Sequence, residues 1–240
     1  MTLFDWDAPG PYRVAFSTRV GGVSEGAFES LNLGVYTDDE AENVYENRRL
    51  LCARLGVEPE TATMPWQYHS AVVTKADGRG IVTPGLEFER CDGLWTDEPG
   101  RALVTLSADC LPIALARVNG TPAVAALHVG WRGLLAGIVQ AGADALGGGK
   151  LAAAIGPGIG ACCYEVGDEV ATPFRERFGD EVVLGRNLDL AEAAERALRA
   201  AGCETVERVG LCTSCEEELF FSHRRDRGRT GRQGIVAALR

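Results

Sequence analysis

Two apolar runs in the middle of the chain constrain the fold most: Ala102-Leu-Val-Thr-Leu-Ser107 and Ala123-Val-Ala-Ala-Leu127. Each is short and bounded by turn-forming residues, so each predicts a buried strand. Both stop abruptly at chemistry-bearing residues, the first at Ala108-Asp109-Cys110-Leu111-Pro112 and the second at His128-Val129-Gly130-Trp131-Arg132-Gly133. After the second, Leu134, Leu135, Ile138, Val139 and Leu146 share one helical face with Gly142 in the stripe, and Gly147-Gly-Gly149 ends the helix. A third strand, Leu151 to Ile155, runs into Gly156-Pro-Gly-Ile-Gly160 and a helix beginning near Glu165. The recurring unit is strand, reactive turn, helix.

The flanks add a strand over Tyr12 to Thr18, then the turn-rich Arg19-to-Gly26 stretch, and a helix from Glu40 to Leu55 that Gly56 stops. Asp189 is placed to cap a helix running to Ala201, with Gly202 just past its end. Strands are expected over Thr205 to Leu211, Glu218 to Phe221 and Gly234 to Leu239. Some strands are joined too closely for helical crossovers, so the predicted class is α+β, with mixed sheets layered with helices. No repeat or long linker divides the chain, so residues 1–240 are read as one domain.

Composition narrows the function. A net charge of −10 leaves no general excess of Lys and Arg for nucleic-acid phosphates, so no nucleic-acid partner is expected. The N-terminus carries no export signal, and no apolar run approaches the roughly 20 residues of a membrane span. The expectation is a cytoplasmic protein, away from membranes, monomeric or weakly dimeric. In a reducing compartment its eight cysteines are apolar residues, reactive thiols or metal ligands rather than cross-links.

Three residues stand out as a possible metal set: His69 in Gln67-Tyr68-His69-Ser70, Cys110, and His128. Two imidazoles and a thiolate suit Zn²⁺ and leave a fourth tetrahedral position open, which is the mark of a catalytic site. Their spacing matches no local ligand motif, and on spacing alone a buried thiol and two hydrogen-bonded histidines are the favoured reading. Their place at strand ends favours function, because sheet ends display reactive groups. A second set is Cys162-Cys163 with Cys212-Thr-Ser-Cys215; one C-x-x-C is a weak zinc signal, and inert thiols are the simpler reading. Ile155-Gly-Pro-Gly-Ile-Gly160 reads either as a phosphate cradle or as a tight strand-to-helix turn. The arginine run from His223 to Arg232 reads as a solvated face, and Arg132, close to His128, is the arginine placed in the site.

Together, Gln67-Tyr-His69, Ser107-Ala-Asp109-Cys110-Leu-Pro-Ile113, His128-Val-Gly-Trp131-Arg132-Gly133, the Ile155-to-Gly167 segment, and Phe220-Phe-Ser-His-Arg-Arg-Asp226 with Gly231-Arg232-Gln233 resemble the YfiH/YlmD family. Its members have been called polyphenol oxidases or laccase-domain proteins and also purine nucleoside phosphorylases. Ser17-Thr-Arg19-Val-Gly-Gly-Val-Ser24 and Ser30-Leu-Asn-Leu-Gly34 extend the resemblance over nearly the whole chain, which departs from the family pattern at Asp38-Asp39 and Ser70. The resemblance implies an α/β/β/α layering and zinc held by His69, Cys110 and His128. It also implies phosphorolysis of adenosine, guanosine, inosine and S-methyl-5′-thioadenosine, with adenosine deamination as a side activity. In that scheme Cys110 and Asp109 serve catalysis, while Arg48, Gln67 and Arg132 bind phosphate or nucleoside. The competing readings are a Cys110-dependent hydrolase or amidase editing peptidoglycan precursors, a polyphenol oxidase with Cu²⁺ in place of zinc, and a non-catalytic partner-binding protein stapled by zinc. Three histidines are too few for a multicopper centre.

Overall fold

The computed structural model describes residues 1–86 and 88–240. In chain order its elements are β1 (Leu3–Trp6), β2 (Tyr12–Ser17), α1 (Ala41–Leu55), β3 (Val73–Lys75), β4 (Gly93–Thr96), β5 (Ala102–Ser107), β6 (Leu111–Arg117) and β7 (Val124–Val129). There follow α2 (Trp131–Ala136), α3 (Ile138–Ala145), β8 (Leu151–Ile155), α4 (Asp168–Phe178), β9 (Val183–Leu184), β10 (Asn187–Leu188), α5 (Leu190–Ala200), β11 (Cys203–Arg208) and β12 (Gln233–Leu239). One antiparallel sheet has the order β1-β2-β12-β5. The larger sheet, β11-β8-β6-β7-β4-β3, is mixed, with parallel pairs only at its two ends. A small β9–β10 hairpin completes the set.

Period-two alternation explains how the layers stack, because successive strand residues face opposite sides. In β6, Ile113 and Leu115 face the cluster formed with α2–α5, whereas Ala114 and Ala116 face the other sheet. β7 and β8 repeat the division, with Leu127 and Ile155 toward the helices and Ala126 and Ala154 toward the partner sheet. Alanines on that inner face let the two sheets approach closely, while Phe16, Leu103 and Ile235 from the smaller sheet fill the gap. The far side of the smaller sheet presents Ala15, Val104 and Val236 to Leu51, Cys52 and Leu55 of α1. The order of layers is therefore helix, sheet, sheet, helices, in a mixed α+β domain.

Several sequence expectations hold closely: α1 ends at Gly56 in the left-handed conformation, and the Asp189 carboxylate accepts from the Glu192 amide at 2.9 Å, a cap worth about 1 kcal/mol. Others need correction. The turn at Asp109 does not continue through Pro112; β6 starts at Leu111, with Pro112 near its beginning, where the missing N–H costs least. The helix expected after Gly133 is two helices, because Gly137 adopts φ +94° and no α-helix passes through that conformation. The helix expected from Glu165 begins at Asp168. Glu218 to Phe221 is a turn rather than a strand: Phe220 and Phe221 are buried, and Gln233 Oε1 rather than a ladder partner receives the Phe221 amide.

Candidate metal centre

The turn between β5 and β6 carries the chain from one sheet to the other, and Asp109 meets that reversal with φ +93°. A non-glycine residue there is strained by about 1 kcal/mol or more, so its surroundings must hold it. They do: its carbonyl accepts from the Ile159 amide at 2.8 Å, and its carboxylate accepts from Thr213 Oγ1 and the Arg224 amide, each at 2.7 Å. Asp109 thereby fixes the direction in which Cys110 emerges. His69 is also left-handed, at φ +66°, and is held by Asp92. The buried Asp92 carboxylate accepts from the amides of Tyr68, His69 and Ser70 at 3.2, 2.9 and 2.6 Å and from the Ser70 hydroxyl at 2.7 Å.

The same carboxylate reaches His128, which lies inside β7 opposite Pro112 of β6, with Nδ1 2.9 Å from Asp92 Oδ1. That bond sets the tautomer and frees Nε2 to act as a ligand. Burial alone pushes the Asp92 pKa up, but the hydrogen bonds from His128 and from the Ser70 amide and hydroxyl outweigh it and hold the group well below the usual carboxylate range. Sequence reasoning missed Asp92. Nothing in Cys91-Asp92-Gly93 marks it, since its role comes from receiving groups brought in from the His69 loop and β7.

His69, Cys110 and His128 converge, with donor atoms all within 4.8 Å of one another and Cys110 Sγ 3.9 Å from His69 Nε2. Tetrahedral zinc, with bonds of about 2.1 Å to nitrogen and 2.3 Å to sulfur, separates such atoms by about 3.6 Å. The donor set therefore fits a single ion. Gly130 is part of the fit, since a Cβ there would lie 2.9 Å from Cys110 Sγ and 3.0 Å from His69 Cδ2. Without a metal, burial opposes charge on the pair, yet the positive His128 beside it brings the Cys110 thiol down to about 6, and the thiolate with Asp92 raises His128 to about 9.

A cavity of about 500 Å³ opens above the three donors. Its wall includes Trp66 and Tyr36, which are largely exposed with ring centroids 4.6 Å apart, together with Phe88, Tyr164, Ser107, His223, Arg224 and Arg232. Ser107 Oγ is buried there with no hydrogen-bond partner among the described residues.

The other predicted site residues separate. Gln67 lines the cavity, but its amide nitrogen donates to the Leu106 carbonyl at 2.6 Å and its oxygen accepts from the Leu106 amide at 2.8 Å, so it ties the His69 loop to β5. Arg48 reaches the wall only from within the core: it is 2% exposed and donates to the carbonyls of Leu33 and Ile81. Burial lowers its pKa to about 10, and its guanidinium is engaged in holding loops together. Arg132 is exposed, stacks on Trp131 at 4.5 Å and does not line the cavity. The arginine run read as a solvated face instead supplies Arg224 and Arg232 to the wall. Gly156 and Gly158 give room to Phe16 and Leu111, so the glycine-rich stretch serves close packing behind Cys110.

Fold and site define a class: a mixed α+β protein in which two histidines and a cysteine, able to hold a metal ion, lie on the wall of a ligand-sized cavity. Residues 13–240 match the family model described as multi-copper polyphenol oxidoreductase laccase. A Pseudomonas aeruginosa protein named purine nucleoside phosphorylase is 40% identical over 95% of this chain and 93% of its own length. A second relative, purine nucleoside phosphorylase YlmD of Geobacillus stearothermophilus, is 39% identical over 90% of this chain and 86% of its own. The crystal structure of that organism's YlmD superposes with a TM-score of 0.89 at 35% identity, covering 98% of this chain and 94% of the other. The chain belongs to the YfiH/YlmD family. The copper cluster in the family model's description does not fit these residues: a trinuclear centre needs many imidazoles, and beyond the two in the site only His223 remains.

Proposed function

We propose that the protein is a zinc-dependent purine nucleoside phosphorylase acting on adenosine, guanosine, inosine and S-methyl-5′-thioadenosine, with adenosine deamination as a side reaction. One observation carries this reading: three donors, one short of a tetrahedral set, on the wall of a cavity that is also lined by exposed aromatics and by arginines. The relatives named purine nucleoside phosphorylase support the phosphorylase part of this reading. His69, Cys110 and His128 would hold the ion, which when bound would supply Lewis acidity to the site. The flat faces of Trp66 and Tyr36 receive the purine, and Arg224 and Arg232 hold the phosphate anion near the sugar. Ser107 Oγ offers its unused hydrogen-bonding capacity to the ligand.

In the reaction a phosphate oxygen bonds to C1′ as the bond from C1′ to the base nitrogen breaks, and that electron pair leaves with the purine. His223, on the cavity wall, would pass a proton to the departing base. Asp109 and Gln67 act by positioning Cys110 and His69 rather than by touching substrate.

The test is to incubate metal-loaded protein with inosine and phosphate. Free base and ribose 1-phosphate, both lost in Cys110→Ala, are expected. No base release above that variant overturns the proposal, and activity that survives chelation points instead to Cys110 as a nucleophile.

A further inference from the structure

The second cysteine group lies outside the cavity wall, where two loops meet. Cys162 and Cys163 come from the segment between β8 and α4, and Cys212 and Cys215 from the turn after β11. The loops are already joined by a parallel bridge between Gly158 and Cys212 and by the Thr213 amide donating to the Gly158 carbonyl at 3.0 Å. All four Sγ atoms lie within 4.8 Å of one another, with Cys215 Sγ 3.5 Å from both Cys162 Sγ and Cys163 Sγ. No pair is bonded as a disulfide.

These distances discriminate among occupants. Four Zn–S bonds of about 2.3 Å in a tetrahedron place the sulfurs about 3.8 Å apart, close to the packing observed. An iron–sulfur cluster divides its thiolates among two or four irons and needs them spread more widely. A disulfide would pull two sulfurs to about 2.05 Å and strand the other two. A backbone amide also points at one donor: Gly160 N donates to Cys212 Sγ at 3.2 Å. Such an N–H group stabilises the charge of a metal-bound thiolate.

The geometry points to a second metal centre: a closed tetrathiolate zinc site formed by Cys162, Cys163, Cys212 and Cys215, which clamps the two loops behind the cavity. Its four protein ligands leave no position for substrate, so its role is structural. Loading it displaces the thiol protons to solvent and involves no change of oxidation state. The clamp has a path to the first site: Thr213, between Cys212 and Cys215, holds the Asp109 carboxylate, and Ile159 holds the Asp109 carbonyl, immediately before Cys110. This centre stands independently of the phosphorylase proposal.

Metal analysis of the untagged protein, purified with zinc and a thiol reductant, is the test. Two zinc ions per chain are expected, falling to one in Cys215→Ser and also to one in Cys110→Ala. Cobalt substitution separates the two sites, because the intense visible bands of a tetrathiolate cobalt centre should vanish in Cys215→Ser and persist in Cys110→Ala. Should Cys215→Ser fail to fold, thiol titration of the native wild type decides: Cys162 and Cys215, though exposed, should resist modification until a chelator is added. Wild-type zinc content that Cys215→Ser leaves unchanged, iron in the cluster, or immediate reaction of these thiols without chelator would overturn the inference.

Discussion

The two cysteine-bearing clusters differ in how they finish their coordination. His69, Cys110 and His128 supply three donors beneath an open cavity, whereas Cys162, Cys163, Cys212 and Cys215 supply four outside it. Each set is positioned differently as well. The triad is held by buried carboxylates, Asp92 on both histidines' segments and Asp109 beside the cysteine, while the quartet rests on backbone amides and turns. Buried carboxylates fix direction tightly and raise ligand basicity, which suits a centre that must present a free position in one orientation. Amides and turns suffice where four thiolates define the geometry themselves.

The contrast can be broken at its strongest point first. Cys110→Ala should bring base release to background, a loss greater than the roughly 10- to 100-fold typical of outer-shell changes, while the cobalt spectrum of the quartet stays intact. Coupled loss of both would mean that the clusters are one unit. Next, Asp92→Asn should weaken metal binding at the triad by about 10- to 100-fold, measured by competition with a chromogenic chelator, and leave the quartet's metal content alone. Arg224→Ala removes one charge-assisted donor worth about 1.5 kcal/mol or more, so the KM for phosphate should rise about tenfold with a smaller change for inosine. Equal effects on both substrates would move Arg224 away from the anion.

The smallest effect concerns pH in the metal-free protein. His128 is raised from 6.5 to about 9, so its contribution to stability is complete below 6.5 and is lost as pH rises through 9. Cys110 is lowered from 9.0 to about 6, so its contribution is complete above 9.0 and is lost as pH falls through 6. Each contribution requires the partner to be charged, so the pair stabilises the fold between about pH 6 and 9. The Tm of the metal-free protein should fall on both sides of that window, and Cys110→Ala should flatten the profile.

What the sequence disclosed follows the same division. The short apolar runs of β5, β7 and β8, the Gly56 stop and the Asp189 cap are local signals, and they read correctly. Cys110 and His128 were legible because each follows an apolar run directly, and His69 as the partner imidazole in Gln67-Tyr68-His69-Ser70. Asp92 was not, since a single carboxylate becomes an organiser only when loops far apart in sequence fold onto it. Proximity in sequence is also a poor guide to the cavity wall: Arg132 follows the site's own turn and stacks on Trp131 outside the lining, whereas Arg224 and Arg232 reach the wall from a distant segment. Pro112 and Gly137 misled in opposite directions, the one tolerated near a strand start and the other dividing a continuous apolar stripe.

Whether the triad's metal serves the chemistry is tested most directly by ribose 1-phosphate formation from inosine and phosphate as zinc is returned to metal-free protein. Formation should rise with occupancy of the His69–Cys110–His128 site, level off when that site is full, and stay absent in Cys110→Ala. Full activity in the zinc-free protein would contradict a role for the triad's metal.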